Sequence, residues 1–555
     1  MAPAAAAQSC GFDAASTWAR LVVPSFSDCF FIFLFVWLFL AGPHGWDALL
    51  GDADIGWHLR TGEWILANHA VPSHDLFSFT RAGAPWFAWE WLSDIVFALL
   101  FRAASFKGVL LLTGLVIGIY STIVLRHAFW RGANAMVALP LTLLGVGSST
   151  VHFLARPHVF TLLFMASAMW LVEADRKRAT PWLWALIPLS ALWVNLHGGF
   201  FMFLACSGVV AAGSAVETWL GAGSWRSAQR YALLFAGCAA ASVVNPYGIE
   251  LHKHVLAYLS SDWIRNNIQE FLAPTFRSEG QRQFELVLLL GLLTVAPLLR
   301  KRRITEALLI LFLAHSSLTS LRHATIFCVV AIPIMAEEIS SMWRGIAMNM
   351  PRKSLTSMLN TLGADLAKPF RRSSLWPAAM AVAVAMAPIA WPQDFPKALF
   401  PTALVSRHAE RLQAARVLTT DQWGDYLIFR FYPRERVYID GRSDFYGEQL
   451  GNEYLHVLQL APDWEKKMAQ RRFDAVMLPP SWPLVQMLKS DAKWRIAEDT
   501  GAAVLFFRRG AEGDAARASG SPRASLVLKK TRADANENLQ SRRSLYTGDR
   551  RNERG

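Results

Sequence analysis

The stretch "CFFIFLFVWLFLAGPHGWDALLGDADIGWHLRTGEWIL", residues 29–66, decides the fold class. Its first part completes an apolar run over 21–42, and a bilayer core takes about 20 such residues as a helix. The segment before it is long, weakly charged and without a small-residue cleavage site, so the run reads as a retained anchor helix rather than a signal peptide. Its second part turns abruptly polar. "GDADIGWHLRTGEWIL" (51–66) places two aspartates, a histidine, an arginine, a glutamate and two tryptophans at the mouth of a membrane segment.

Further apolar blocks recur as far as residue 392. Of the 555 residues 53% are hydrophobic and only 17% charged, which is the composition of a polytopic α-helical membrane protein. The expected spans are 21–42, 109–125, 133–149, 157–173, 181–195, 199–219, 231–244, 284–299, 304–320, 324–343 and 376–391, about 11 transmembrane helices (11–13), with 90–106 ambiguous. The formal charge of +13 sits mostly at the ends of these blocks and in the tail, so topology explains it and no nucleic-acid partner is expected. The clusters "ADRKR" (174–178) and "LRKRR" (299–303) and the basic loop 344–372 belong on the cytoplasmic side. With residues 1–20 there as well, the first loop (43–108), the "NLHGG" turn, a second large loop (245–283) and everything beyond 392 face outward. Eleven spans satisfy this only if 90–106 lies along the membrane surface. The five cysteines lack disulfide or metal-ligand spacing and read as packing residues.

Beyond the membrane region, residues 393–510 contain short strand-like runs (416–420, 426–431, 436–440, 474–479, 503–508) with helical stretches near 451–470 and 482–490. They are expected to form an extracytoplasmic α/β domain. The tail 511–555 is basic, without apolar periodicity, and is expected to be disordered. No internal repeat is found, which disfavours a transporter.

The first outward loop carries six of the 23 tryptophans and seven acids. Asp52 and Asp54 flank one residue. Such a pair can hold a divalent metal (Mg2+ or Mn2+), or one member can act as base. Alternatively Asp54 caps the following helix. Because Asp52 is harder to explain as a cap, it is the sharper candidate, with Asp54 as partner. Basic and polar residues recur at the same depth: "HFLARPH" supplies His152, Arg156 and His158, "WVNLHGGF" supplies Asn195 and His197, and "SLRHATIF" supplies Arg322 and His323. Each alone can snorkel to headgroups, but together, facing an acidic loop, they indicate a convergent site for a phosphate or pyrophosphate. His252, Lys253 and His254 lie on an amphipathic segment suited to contact lipid or acceptor, or to pack beneath the soluble domain. Asp440, Arg442 and Asp444 in "YIDGRSDFYG" either bind a ligand or fix a turn.

These residues resemble a family. The motifs "DADIGWHLRTGEWIL", "VPSHDLFSFT", "APWFAWEWL", "LARPH" and "VNLHGGF", followed late by "IDGRSDFYG", are similar to a bacterial subgroup marked by D-x-D-I-x-W-H-L. The architecture is similar to the C-type membrane glycosyltransferase (GT-C) superfamily. The resemblance covers roughly residues 50–450. It implies a membrane glycosyltransferase of the bacterial inner membrane, with its active site and C-terminal domain facing the periplasm. The reaction would be inverting transfer of a sugar from a polyprenyl-phosphate-linked donor to a glycan, lipid or protein acceptor. By position, Asp52 or Asp54 would be the base. Arg60, Arg156, His158, Arg322 and His323 would neutralise the donor phosphate, and Trp57, His58, Glu90, Asn195 and His197 would contact substrate. The chain departs from familiar members at "WFAWEWLSD", where Glu90 stands in place of a proline-rich acidic or histidine motif. That departure keeps alive a non-catalytic protein that binds, moves or helps assemble lipid-linked polysaccharide, with a transporter third.

Overall fold

The structure is a computed structural model that describes residues 21–41 and 45–510. The expected cytoplasmic N-terminus 1–20 and the basic tail 511–555 lie outside the described residues. Two compact units are present: the chain to Thr402 together with Asp421–Asn452, and Ala403–Thr420 together with the chain from Glu453.

The first unit is helical. The anchor helix Phe26–Val36 starts with a capping box in which Ser25 Oγ accepts from Asp28 N–H and Asp28 accepts from Ser25 N–H. The two reciprocal bonds satisfy backbone donors that a helix start leaves open. The anchor packs along the long helix Trp91–Arg131, where a Cβ on Gly118 would lie 2.8 Å from the Phe31 ring and one on Gly114 2.6 Å from Phe39. Small residues at a helix contact let backbones approach closely, the usual device where lipid supplies no hydrophobic drive between helices.

Each apolar block read from the sequence overlaps a helix, although 387–391 lies outside one. Among the described residues, five helices are long and apolar enough to cross a bilayer: Trp91–Arg131, His158–Lys177, Phe200–Trp219, Glu279–Arg300 and Leu321–Met348. Five shorter apolar helices accompany them: Phe26–Leu40, Ala135–Ser148, Pro181–Trp193, Ile304–Thr319 and Trp376–Met386. The segment 90–106 is the beginning of the 41-residue helix Trp91–Arg131, which is broken at Ala104 and Ser105, where Ser105 takes φ +55°. Ser93, Asp94, Phe97 and Ala98 within it are buried, because the helix Asp54–Asn68 covers this face. Gly62 makes that approach possible: a Cβ there would press onto Asp94 O and lie 2.7 Å from Ala98 Cβ.

The second unit holds a four-stranded sheet in the order β1 (Val417–Leu418), β2 (Ala475–Leu478), β4 (Val504–Arg508), β3 (Trp494–Asp499). β1 runs parallel to β2, and the other pairs are antiparallel. β2 is buried along its whole length. β3 escaped the sequence reading because its "WRIAED" is polar and largely exposed. The helix expected at 482–490 is Pro483–Ser490, whereas 451–470 is shared between Ser443–Leu458 and Trp464–Arg471.

Two expectations are corrected. "YLIFRF" (426–431) is not a strand: it completes the helix Asp421–Phe431, whose residues 423–429 and Phe431 are all buried. Its aromatic and β-branched content reads as strand, yet β-propensity yields to packing, here against Gly56, whose Cβ would lie 2.7 Å from Asp425 O and 2.9 Å from Phe429 Cβ. "RVYID" (436–440) joins no sheet. It pairs with the first loop instead, as Phe79 N–H donates to Val437 O at 3.0 Å, Val437 N–H donates to Phe77 O at 2.9 Å, and Ser78 bridges Val437. The expected boundary at 393 therefore does not follow the compact units, since 421–452 belongs with the helical one.

Candidate functional site

The site grows from the start of the helix Asp54–Asn68. Asp52 Oδ1 accepts from Asp54 N–H at 2.8 Å, so Asp52 supports the helix start while Asp54 is the first helical residue. The two aspartates thus exchange the roles that the sequence favoured for them. Asp54 lines a cavity of about 290 Å³ and Asp52 does not. Both are gathered by Arg156, whose Nη1 meets Asp52 Oδ2 at 2.8 Å and Glu270 Oε1 at 2.7 Å, and whose Nη2 meets Asp54 Oδ2 at 2.7 Å. Burial works against the Arg156 charge, but Asp54, Asp52, Glu270 and Glu90 outweigh it and hold the guanidinium firmly protonated. Burial works likewise against ionised Glu270, and Arg156 and Arg322 outweigh it to keep this carboxyl well below the usual range.

Asp54 faces a second carboxyl that the sequence did not flag. Asp425 is fully buried and accepts from Gly441 N–H with both oxygens, at 3.0 and 3.1 Å. A Cβ on Gly441 would press onto Asp54 Oδ1 and lie 2.8 Å from Asp425 Oδ2, so the glycine of "YIDGRSDFYG" makes room for the pair. Burial raises the Asp54 carboxyl well above its ordinary range, with Arg156 opposing and Asp52 and Glu270 adding. Burial, Asp54 and Asp440 do the same to Asp425. A carboxylate so raised holds a proton more tightly than an ordinary one.

Across the cavity wall, Glu90 stands between two imidazoles. His58 Nε2 is 3.7 Å from Glu90 Oε2 and His197 Nε2 is 3.5 Å from Oε1. His58 Nδ1 meets Asp94 Oδ1 at 2.6 Å. Burial raises Glu90 from 4.5 to about 8 against the pull of Arg156, and burial lowers His58 and His197 well below 6.5, so both rings are neutral.

The basic side has a different character. Arg322 lies 4.4 Å over the Phe271 ring, and among the described residues it makes no ion pair. His152, His158 and His323 line the same cavity. His158 Nε2–H donates to His152 O at 2.6 Å and His323 Nδ1–H donates to Ser316 O at 3.2 Å, while burial lowers His152 to about 4. His158, Gly199 and His323 also mark the N-terminal ends of three helices, His158–Lys177, Phe200–Trp219 and Ala324–Met348. Helix N-termini carry partial positive charge and open N–H groups, so this part of the wall favours an anion. An aromatic edge completes the cavity: Phe87 stacks on His254 at 4.5 Å, Trp89 lies 5.2 Å from the same ring, and His254 Nε2 meets Asp444 Oδ2 at 3.0 Å.

Of the residues singled out from the sequence, Asp54, Trp57, His58, Glu90, Arg156, His158, His197, Arg322 and His323 line this one cavity. Two do not. Arg60 is turned away, its Nε–H donating to Phe429 O at 2.9 Å and its Nη1–H to Glu63 at 2.6 Å, because helical spacing puts it on the face packed against Asp421–Phe431. Asn195 is a bracket: it accepts from Trp91 Nε1–H at 2.8 Å and donates to Ala191 O and Val244 O. Asp440 and Arg442 fix a turn, Arg442 Nη2 meeting Asp440 at 2.7 Å and Asp75 at 2.8 Å, and Arg442 and Asp444 both line the cavity. Lys253 points outward to Glu250, and His252 hydrogen-bonds Ser242. Sequence reasoning missed Asp425, Gly441 and Glu270, which no local motif ties to Asp54.

Among the described residues no group of three or more His, Cys, Asp or Glu side chains is arranged to hold a divalent metal, and the carboxylates of Asp52, Asp54 and Glu270 are drawn together by the Arg156 guanidinium.

No protein-family model and no curated protein sequence matches the chain. Among solved structures it is similar to the archaeal oligosaccharyltransferase AglB from Archaeoglobus fulgidus, in complex with an inhibitory peptide and a dolichol-phosphate. The TM-score is 0.55 at 11% sequence identity, over 88% of this chain and 74% of that one. Apolar helices long enough to cross a bilayer, a loop-borne acidic cluster at their mouth and this likeness together give the chain a GT-C-like membrane fold.

Proposed function

We propose that the protein is an inverting membrane glycosyltransferase that moves a sugar from a polyprenyl-phosphate-linked donor to an acceptor hydroxyl or amide. The observation that carries this reading is the division of one cavity into two poles. One pole holds the Asp54 carboxyl, fixed by Arg156. The other holds Arg322, which makes no ion pair among the described residues, and three helix N-termini. A dolichol-phosphate accompanies the structural neighbour, which is consistent with a lipid phosphate at the second pole. The basic clusters at 174–178 and 299–303 support a cavity open to the periplasm of a bacterial inner membrane.

In the proposed step the acceptor atom attacks the anomeric carbon from the face opposite the phosphate. The bond from that carbon to the phosphate oxygen breaks with its electron pair passing to the phosphate. Asp54 takes the acceptor's proton, and Arg322 and the helix N-termini stabilise the charge that develops on the leaving group.

Transfer of radiolabelled sugar from undecaprenyl phosphate to a membrane extract by the purified chain tests this. Asp54→Asn is expected to lower kcat by roughly a hundredfold or more, and Arg322→Gln to weaken donor binding by about tenfold or more. Undiminished transfer by Asp54→Asn and by the Asp52→Asn/Asp54→Asn double variant would remove the mechanism. Carrier binding by the wild type with no turnover would select a non-catalytic lipid-linked glycan binder instead.

A further inference from the structure

We propose that the helix Leu355–Ala367 lies in the headgroup layer of the bilayer and, with the bases that flank it, binds anionic phospholipid. Ser354 caps this helix, its Oγ accepting from Ser357 N–H at 3.3 Å. The helix runs across the ends of others instead of continuing one. Ser357 Oγ–H donates at 3.0 Å to Ala347 O, in the last turn of Ala324–Met348. Asn134, the cap of Ala135–Ser148, donates from Nδ2 to Asn360 O at 2.8 Å, and a Cβ on Gly363 would press onto Asn134 Oδ1. Just past the helix, Arg372 O accepts at 3.0 Å from Arg126, near the end of Trp91–Arg131. Ser374 N–H donates at 3.0 Å to Asp28, in the first turn of Phe26–Val36. Four apolar helices thus reach this level with an end. For Ala324–Met348 it is the end away from the cavity, since Thr325 and Ile326 line the cavity at its start.

A turn of about 100° per residue divides the helix surface into three faces. Asn360, Gly363 and Ala367 form the face packed on the bundle, with Gly363 and Ala367 buried. Ser354, Thr361 and Asp365 form a polar face. Leu355, Met358 and Leu362 form the third, and they are 72%, 59% and 50% exposed. A helix at the edge of a bundle meets neighbour, water and lipid on three sides, and this apolar face suits the boundary between headgroups and acyl chains.

Charge names the lipid. Residues 344–372 hold six bases and one acid. That acid, Asp365, pairs with Lys368 at 2.6 Å. Arg352 and Lys353 are exposed and make no ion pair among the described residues. They directly precede a helix start whose first turn has no acid. Bases there oppose the helix macrodipole, so they gain nothing from the helix itself. Two bases beside open helix N–H groups suit a phosphate. The side of the membrane on which bases collect is the cytoplasmic one, whose leaflet presents anionic headgroups.

The test places a dansyl amino acid at position 358, or at position 361 on the polar face, in the full chain reconstituted in phosphatidylcholine nanodiscs. Both side chains are exposed, so the replacements leave packing intact. Doxyl-labelled phosphatidylglycerol or phosphatidylcholine is then titrated in. A doxyl group near the headgroup is expected to quench position 358 strongly and position 361 little, and one near the end of the acyl chain to quench neither. Labelled phosphatidylglycerol is expected to reach half-quenching at a fraction about fivefold or more below that of phosphatidylcholine, the size of one base acting at a membrane surface. The double variant Arg352→Gln/Lys353→Gln is expected to lose most of that advantage, whereas Arg352→Lys/Lys353→Arg keeps it, with Tm unchanged in both. Equal quenching at 358 and 361 overturns the proposal, and so do equal fractions for the two lipids. Energy transfer between copies labelled at 358, with no quenching by either lipid, assigns the face to a second copy of the chain and overturns it as well.

Discussion

At the scale of single residues, Glu90 carries the clearest consequence of burial. Its carboxyl is raised from 4.5 to about 8, so between these values the folded chain holds a proton that the unfolded chain has lost. Stability then falls as pH rises through that window, and Glu90 has no such effect below it. Glu90→Gln removes the dependence. Its Tm is expected to match wild type at about pH 4.5 and to exceed it by a few degrees at about pH 8.5, as differential scanning fluorimetry of the purified protein would show. A uniform loss across that range would mark Glu90 as a structural residue charged throughout. The aspartates teach a related lesson. In "GDADIG" the local pattern favours Asp54 as cap and Asp52 as functional, yet Asp52 accepts the Asp54 N–H and Asp54 enters the cavity. Which of two alternate carboxylates points inward depends on where the helix begins, and a shift of one or two residues there changes the answer.

Among elements, the helix Asp54–Asn68 organises the site because glycine lets it sit close on two sides, against Asp421–Phe431 at Gly56 and against Trp91–Arg131 at Gly62. Gly62→Ala would drive a methyl into Asp94 O and separate His58 from Asp94. It is expected to cost about 1–3 kcal/mol, the usual range for overpacking, and to lower transfer activity per folded molecule. Gly345→Ala, also helical but with nothing within 4 Å of the added carbon, is the control and is expected to be neutral or slightly stabilising. The sequence showed these helices plainly through their apolar blocks. It misread 426–431 because aromatic and β-branched residues fit a strand as well as a helix buried on several sides, and periodicity over six residues cannot separate the two.

For the whole molecule, the cavity is matched by a second polar assembly where several of the same helices end. Arg131 bonds Glu173 and lies 2.7 Å from Glu337, Arg303 meets Glu337 at 2.9 Å, and Arg176 meets Glu217 at 3.0 Å. These pairs tie Trp91–Arg131, His158–Lys177, Phe200–Trp219 and Ala324–Met348 at one level. Arg131→Met leaves Glu173 with His127 and Glu337 with Arg303 as remaining partners and is expected to be destabilising, by less than the roughly 3–5 kcal/mol of a buried pair broken outright. Glu173→Leu added to it should recover part of that loss. Thermal unfolding of both variants in the same detergent measures the difference, and an unaltered Tm in Arg131→Met would show the network to be dispensable.

By itself the sequence determined that the chain is a helical membrane protein, because apolar blocks of bilayer length have no other stable fate. It also determined which polar residues cluster at helix mouths, since each of those junctions is read locally. Only the tertiary structure decided which of them share a cavity. Arg60 and Asn195 stand in the right motifs and face elsewhere, because helix phase and backbone bracketing direct them. Asp425 and Gly441 stand nearly four hundred residues from Asp54 and meet it, because the segment 436–441 crosses onto the first loop. Long-range contact of that kind leaves no periodicity or spacing in a single chain. The raised carboxyl of Glu90 belongs to the same class, since it depends on burial among segments that bring His58 from 32 residues before it and His197 from 107 after it.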